Sequence, residues 1–382
     1  MPRSRWSASL VVAAGLGLLV AACGDDTDSG STGTTAAASG ETTSTTAGEG
    51  GTTTTAGEGG GTDAADFKAC QVTDTGGVDD GSFNQTAFEG MTRAEDELGI
   101  QQSVLESESE ADFEPNIDSF LQDDCDLIIT VGFLLGDATA AAAEANTDQD
   151  FAIVDVDFFD SDANEDITYD NVRELTFSTD QAAYLAGYMA AGMTESGTVG
   201  TYGGINIPPV TIYMNGFLAG INAYNADNGT EVKLEGWDGT DGLFTGDFDD
   251  LTKGRDVTEQ LLDAGADIIF PVAGPVGQGS IEAIQSGGGD QHLIWVDADG
   301  CVQLPDDCDL FLTSVLKKMD NAVFDTIQSE LDGSFEGGLY VGTLENDGVG
   351  LADLADSVPS DLADKLDELK QGIIDGSISV EP

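Results

Sequence analysis

Basic side chains are scarce in this chain. Its 382 residues carry 12 Lys and Arg against 72 Asp and Glu, a formal net charge of −60. A field of that sign repels phosphate backbones and anionic lipid headgroups, which excludes nucleic-acid polymers as partners. Histidine is scarcer still, with His292 the only one. That removes the usual general base and a usual zinc ligand. No cysteine pair has C-x-x-C spacing. The expectation is therefore no enzyme, no catalytic residue, no metal and no cofactor. "GPVGQG" (Gly274–Gly279) lacks the Gly-Lys-Ser/Thr ending of a phosphate loop, and the acidic run Asp238–Asp250 lacks the EF-hand spacing with its terminal Glu. Beyond the N-terminus no apolar run is long enough to cross a bilayer. A solvated, salt-adapted surface is the simplest account of the acidity.

What is present begins with a processing signal. Arg3 and Arg5 precede "ASLVVAAGLGLLVAAC", which ends in Val20-Ala21-Ala22-Cys23. The ending resembles a bacterial lipobox. It implies a signal peptide over residues 1–22, lipidation of Cys23, and a place on the extracytoplasmic side of a bacterial cell membrane. Ordinary secretion with cleavage after small residues is the alternative. Residues 23–66 are dominated by Gly, Thr, Ser, Ala and Glu, with no aromatic side chain. Such a segment buries too little apolar area to offset its ordering entropy, so a disordered tether is expected.

Four cysteines remain after Cys23. Cys70 and Cys125 each open an apolar, strand-like run, and neighbouring parallel strands would bring them together. Cys301 and Cys308 flank the turn-rich "VQLPDD". An exported protein permits disulfides, and the pairs 70–125 and 301–308 are expected. The body alternates short β-rich runs with helical segments, as in "KACQVTD" then "NQTAFEGMTRAEDELG", and "CDLIITVG" then "GDATAAAAEANT". That is the βαβα pattern of a parallel sheet covered on both faces. A second such series begins near Ser178, so two similar α/β halves with a cleft between them are expected. The tail from "LFLTSVLKKMD" to "GGLYVGTLENDGVGL" is more than two tandem domains need, and fits a chain that crosses the hinge several times.

Open parallel sheets bind ligands beyond the carboxyl ends of their strands. At those positions lie Asp74 with Phe83 and Asn84, Phe133 with Gly136 and Asp137, Asn215 with Gly216 and Phe217, then Gly274, Asp297 and Asp299, with Lys317 near the late hinge. Aromatic faces stack on planar rings, Asn reads a mixed donor–acceptor edge, and carboxylates accept hydroxyl protons. The set suits a neutral, polar, ring-bearing ligand better than an anion. Taken singly, Phe83 and Phe217 are equally natural core residues, Asp74 a turn cap, and Lys317 a surface residue.

Six stretches in these regions, "VTDTGGVDDGSFNQTAFEGM", "ITVGFLLGDA", "AAYLAGYMAA", "FPVAGPVGQG", "WVDAD" and "LTSVLKKMD", resemble the motifs of the basic membrane protein family. These are substrate-binding lipoproteins of ABC importers and include purine-nucleoside receptors. The resemblance spans roughly Lys68 to Gly350. It implies an α/β, type I periplasmic-binding-protein fold, with two Rossmann-like lobes joined by a multi-crossing hinge. The lobes are expected at 67–176 plus 300–335 and at 177–299 plus 336–382. The implied ligand is a nucleoside, a purine nucleoside by this family likeness, captured by a monomer that delivers it to a membrane permease. By resemblance, Phe83 and Phe217 would sandwich the base, Asn84 and Asp137 would read its edge, and Asp74 would support that end. Asp297 and Lys317 would hold the ribose, and Gly274 would border the site. Two departures stand out: Gly81 occupies a position where lysine is common, and "VDADGCVQLPDDC" inserts a cysteine-flanked loop. A binder or sensor of another small neutral solute, such as a sugar, is the alternative function. A nucleoside hydrolase is a third, without a histidine base to support it.

Overall fold

The computed structural model describes residues 63–160 and 165–381. The signal peptide, Cys23 and nearly all of the tether lie outside the described residues.

The first half builds its sheet from short apolar runs. β1 (Lys68–Thr73), β3 (Leu127–Val131) and β4 (Asp150–Val154) are buried along almost their whole length, as strands covered on both faces must be. β2 (Gln101–Leu105) lies at one edge, and β7 (Val172–Phe177) continues the sheet at the other side. Helices α1 (Phe83–Leu98), α2 (Phe113–Gln122) and α3 (Gly136–Ala145) connect the strands. A small antiparallel hairpin, β5 (Phe159–Asp160) and β6 (Glu165–Asp166), leaves the end of β4.

The second half repeats the plan. Its elements are α4 (Thr179–Met193), β8 (Thr198–Gly203), α5 (Pro208–Asn228), β9 (Lys233–Glu235), α6 (Leu251–Asp263), β10 (Ile268–Val272), α7 (Gln278–Gly287) and β11 (His292–Asp297). A short α8 (Gly300–Gln303), β12 (Phe311–Lys317), α9 (Met319–Leu331), β13 (Gly338–Gly342), β14 (Val349–Leu351) and α10 (Ser360–Ile374) complete the chain.

The strand orders are β2-β1-β3-β4-β7-β13 and β9-β8-β10-β11-β12-β14. The first sheet is parallel throughout; in the second only β14 runs antiparallel. The two sheets therefore match strand for strand in order. This is the expected type I periplasmic-binding-protein fold of two Rossmann-like lobes.

Hydrogen bonding corrects the expected division of the tail. The expected division gives residues 300–335 to the first lobe and 336–382 to the second. Strand β12 instead pairs with β11 in the second sheet, and β13 pairs with β7 in the first. Within 300–335 α9 follows the expectation, with Arg93 of α1 lying 3.8 Å over the Phe324 ring and donating to Asn321 at 2.9 Å, and within 336–382 β14 does, pairing with β12 in the second sheet. The chain thus crosses between lobes after β7, after β12 and after β13. An isolated late strand carries no pattern that names its sheet; only register decides.

Both expected disulfides are present. Cys70–Cys125 joins β1 to a position two residues before β3 with a Cα–Cα distance of 6.0 Å, and Cys301–Cys308 closes the short loop at 4.5 Å. In the second lobe, α4 and α5 touch backbone to backbone. A Cβ on Gly187, Gly216 or Gly220 would lie 2.1, 2.3 or 2.0 Å from a carbonyl oxygen of the facing helix, so only glycine fits. Among the described residues no helix is long and apolar enough to cross a membrane.

Candidate functional site

The carboxyl ends of both sheets face one cleft with about 550 Å³ of empty space, its mouth included. The loop from Asp74 to Ser82 forms one wall. Its glycines serve a tight path: Gly76, Gly77 and Gly81 all have positive φ. Asp80 accepts the backbone N–H groups of Ser82, Asn84 and Gln85 at 2.8, 3.0 and 3.1 Å. It thereby satisfies amides that α1 leaves unpaired at its start. This capping sets Phe83 and Asn84 at the cleft.

Asn84 donates its amide to Asp74 Oδ1 at 3.0 Å and to the Thr75 carbonyl at 3.2 Å. Its Oδ1 is buried and has no partner, leaving a free acceptor in the cleft wall. Gly132 lies against the Asp74 carboxylate, where a Cβ would come within 2.2 Å. Burial pushes the Asp74 carboxyl up to about 7, against the lowering effect of the Asn84 hydrogen bond. Burial also raises Asp80, to about 6, although three backbone amides oppose it.

Each lobe ends its fourth strand with an aspartate in the left-handed conformation: Asp155 after β4 at φ 71° and Asp297 on β11 at φ 65°. Aspartate tolerates this region better than most side chains, and the turn aims its carboxylate at the opposite lobe. Asp155 is ion-paired with Lys317 from the end of β12; their side chains are 8% and 3% exposed. The Lys317 ammonium also lies 4.8 Å from the Phe83 ring centroid and 5.4 Å from that of Phe177. Burial raises the Asp155 carboxyl, and Lys317 partly offsets this. Asp297 accepts from the Tyr213 hydroxyl at 2.6 Å and from Ser82 Oγ at 3.2 Å. Four carboxylates (Asp74, Asp80, Asp155, Asp297) therefore share the cleft with a single ammonium that is already paired.

Of the expected ligand-binding residues, Asp74, Phe83, Asn84, Gly274, Asp297 and Lys317 line this cleft. Phe217 does not. It is 0% exposed on the inner face of α5, with its ring centroid 5.0 Å from that of Phe270. Its apolar helix packs inward against α4 and β10, so it belongs to the core. Asp137 is solvent-exposed on the first turn of α3 and does not line the cleft. A single turn, Phe133–Leu135, separates it from the end of β3 and puts Phe133 at the wall instead.

Phe248, Tyr213 and Asp155 are wall residues that sequence reasoning does not single out. Phe248 enters from the loop before α6, over Gly204, where any Cβ would strike its ring at 2.2 Å. Tyr213 comes from the first two turns of α5. Asp155 follows β4 in "VDVDF", and its position beyond a strand end was the available signal. Phe248 had no such signal, because it sits in an acidic loop far from its strand. Among the described residues no cluster of His, Cys, Asp and Glu has the geometry to hold a metal ion.

Comparison with known proteins gives a consistent result. Residues 67–382 match the family model "Bmp: ABC transporter substrate-binding protein PnrA-like". The chain is 34% identical over 332 residues to a "CD4+ T-cell-stimulating antigen" of Listeria monocytogenes, covering 82% of this chain and 88% of that one. It is 32% identical over 332 residues to an "ABC transporter nucleoside-binding protein BmpA" of Lactococcus lactis subsp. cremoris, covering 82% and 89%. A crystal structure of an ABC transporter solute-binding protein from Aeropyrum pernix K1 superposes with a TM-score of 0.72 at 28% identity, covering 82% of this chain and 92% of that one.

Proposed function

The chain belongs to the Bmp family of PnrA-like ABC transporter substrate-binding proteins, and we propose that it captures a neutral nucleoside between its lobes for a membrane permease. The carrying observation is the chemistry of the cleft. It offers aromatic rings from both lobes, Phe83 and Phe248, an unpaired buried acceptor on Asn84, and four carboxylates against one paired ammonium. Aromatic walls suit a planar base. Carboxylates suit sugar hydroxyls, which donate pairs of protons. A phosphate would meet uncompensated negative charge at a few ångströms.

In this reading Phe83 and Phe248 flank the base, and Asn84, held by Asp74, accepts a proton from its edge. Asp297 and Lys317 take the ribose hydroxyls, with Gly274 leaving the backbone close. The lipobox-like sequence supports anchoring through Cys23, with the folded body on the extracytoplasmic side. The relative named as nucleoside-binding supports the ligand class.

A thermal-shift panel of inosine, guanosine, adenosine, uridine, ribose and arabinose tests it. At about 100 times Kd a bound nucleoside adds roughly 2.7 kcal/mol. The nucleoside is expected to be recovered intact. A response confined to ribose or arabinose would replace this reading with a sugar binder, and released free base would replace it with a hydrolase.

A further inference from the structure

The cysteine-flanked loop plays no part in the cleft, yet it is built with care. It enters from β11 through Gly300, whose N–H donates to Ser314 Oγ at 2.9 Å. A Cβ there would meet Trp295 and Phe311 at 2.9 and 3.1 Å, so the loop is seated on the core of the second lobe. Asp299 caps α8 by accepting the Cys301 N–H at 3.0 Å. Further along, Asp307 accepts from Gln285 of α7 at 2.6 Å, and the Cys301–Cys308 bridge ties the two ends together.

From that fixed base one side chain reaches the other lobe. Gln303 Nε2 donates to Glu89 Oε1 at 2.9 Å, and Gln303 Oε1 accepts from Gln85 Nε2 at 2.5 Å. Both ends of the amide are thus paired on α1. Gln85 is itself positioned, because its Oε1 accepts the Gly81 N–H at 3.0 Å. None of Gln85, Glu89 and Gln303 lines the cleft.

We propose that the disulfide-pinned loop is an interlobe latch in which Gln303 grips Gln85 and Glu89 and biases the hinge toward closure. These contacts join residues of opposite lobes and are lost when the lobes part. A group that interacts only with the closed state shifts the closing equilibrium by its full contribution. Two hydrogen bonds of this kind change the closed-to-open ratio about tenfold. Gln303 is a positioning residue: it acts on the hinge and touches no ligand. The proposal rests on the solute-binding reading only in requiring that the lobes open and close.

The test is pulsed electron–electron resonance on the folded chain without solute, with nitroxides at Ser119→Cys on α2 and Asp256→Cys on α6. Both positions are exposed. Gln303→Glu sets a carboxylate against Glu89 and is expected to raise the open-to-closed ratio about tenfold. Gln303→Lys offers Glu89 an ammonium and is expected to keep the parent distribution or narrow it toward closed. A role in folding alone would not separate two substitutions by the sign of their charge. Cys301→Ser with Cys308→Ser is expected to resemble Gln303→Glu. A parent already fully open, or Glu and Lys variants that share one distribution, overturns the latch. Inosine dissociation is measured in parallel and is expected to be about tenfold faster from Gln303→Glu. If no nucleoside of the panel binds, the nucleoside reading fails while the distance distributions still decide the latch.

Discussion

Asp155 and Asp297 hold left-handed backbones that few residues adopt, and both carboxylates point into the space between the lobes. Around them, aromatic residues divide into two roles that composition does not distinguish. Phe83 and Phe248 line the cleft, whereas Phe217 is core. Phe248→Ala is expected to weaken nucleoside binding by about 1–3 kcal/mol, the scale of base–aromatic stacking, with little loss of stability. Phe217→Ala is expected to lower unfolding free energy by about 3–5 kcal/mol and to leave the affinity of the folded protein unchanged. Calorimetric titration and urea denaturation separate the two, and a reversed pattern would return Phe217 to the site. Asp74 supplies a pH signature. Its unfolded carboxyl titrates near 3.8 and the folded one at about 7. Between these values the folded state binds the extra proton, so this group's contribution to stability falls as pH rises from about 4 to about 7. Above that window the penalty is complete, on the order of 4 kcal/mol. Asp74→Asn is therefore expected to gain roughly 3 kcal/mol on its parent when denaturation is compared at pH 8 and pH 5. Parallel pH curves would refute the shift.

At the scale of elements, the second lobe depends on the α4–α5 contact, where glycines let two backbones meet. Gly220→Ala would drive a Cβ to 2.0 Å from the Tyr184 carbonyl oxygen. Overpacking of this kind costs about 1–3 kcal/mol and more when backbone must move. Gly287 is the contrast: it ends α7 and has nothing within 4 Å of its would-be Cβ. Gly287→Ala is expected to stabilise by about 0.5–1 kcal/mol, because alanine loses less freedom in a helix. Thermal melts of the two variants should shift in opposite directions. Of these elements, the long periodic helices and the all-apolar strands were legible in the sequence, from "CDLIITVG" to "HLIWVDAD". The late stretch "GGLYVGTLENDGVGL" holds two strands, β13 and β14, that belong to different sheets. The turn at Asp347, with φ 57°, lies between them and carries the chain across.

Over the whole molecule, charge is the dominant asymmetry. The exposed ion pairs, such as Arg93–Glu97 and Arg255–Glu259, are worth little singly and weaken in salt. The repulsion among 72 acidic residues with 12 basic ones to offset them is far larger, and salt weakens that too. Repulsion wins, so the melting temperature is expected to rise as sodium chloride goes from 0.05 to 1 M, with most of the gain at the low end. A flat or falling curve would mean that the acidic groups are compensated locally. The Lys317–Asp155 pair is screened least, being buried. Lys317→Met is expected to destabilise the closed form by about 3–5 kcal/mol through the unpaired Asp155 charge.

Local features were legible along the chain: the alternation that makes two parallel sheets, the cysteines that meet at adjacent strands, and the first cleft loop with Asp74, Phe83 and Asn84. Each follows from periodicity or from position at a strand end, and both are properties of a short window. Tertiary structure alone decided which sheet received β12 and β13, which aromatic residue faces Phe83's cleft, and that Gln303 meets α1. Those outcomes depend on hydrogen-bond register and on contacts between residues more than a hundred positions apart, such as Lys317 with Asp155 and Gln303 with Gln85. No window of sequence contains both partners.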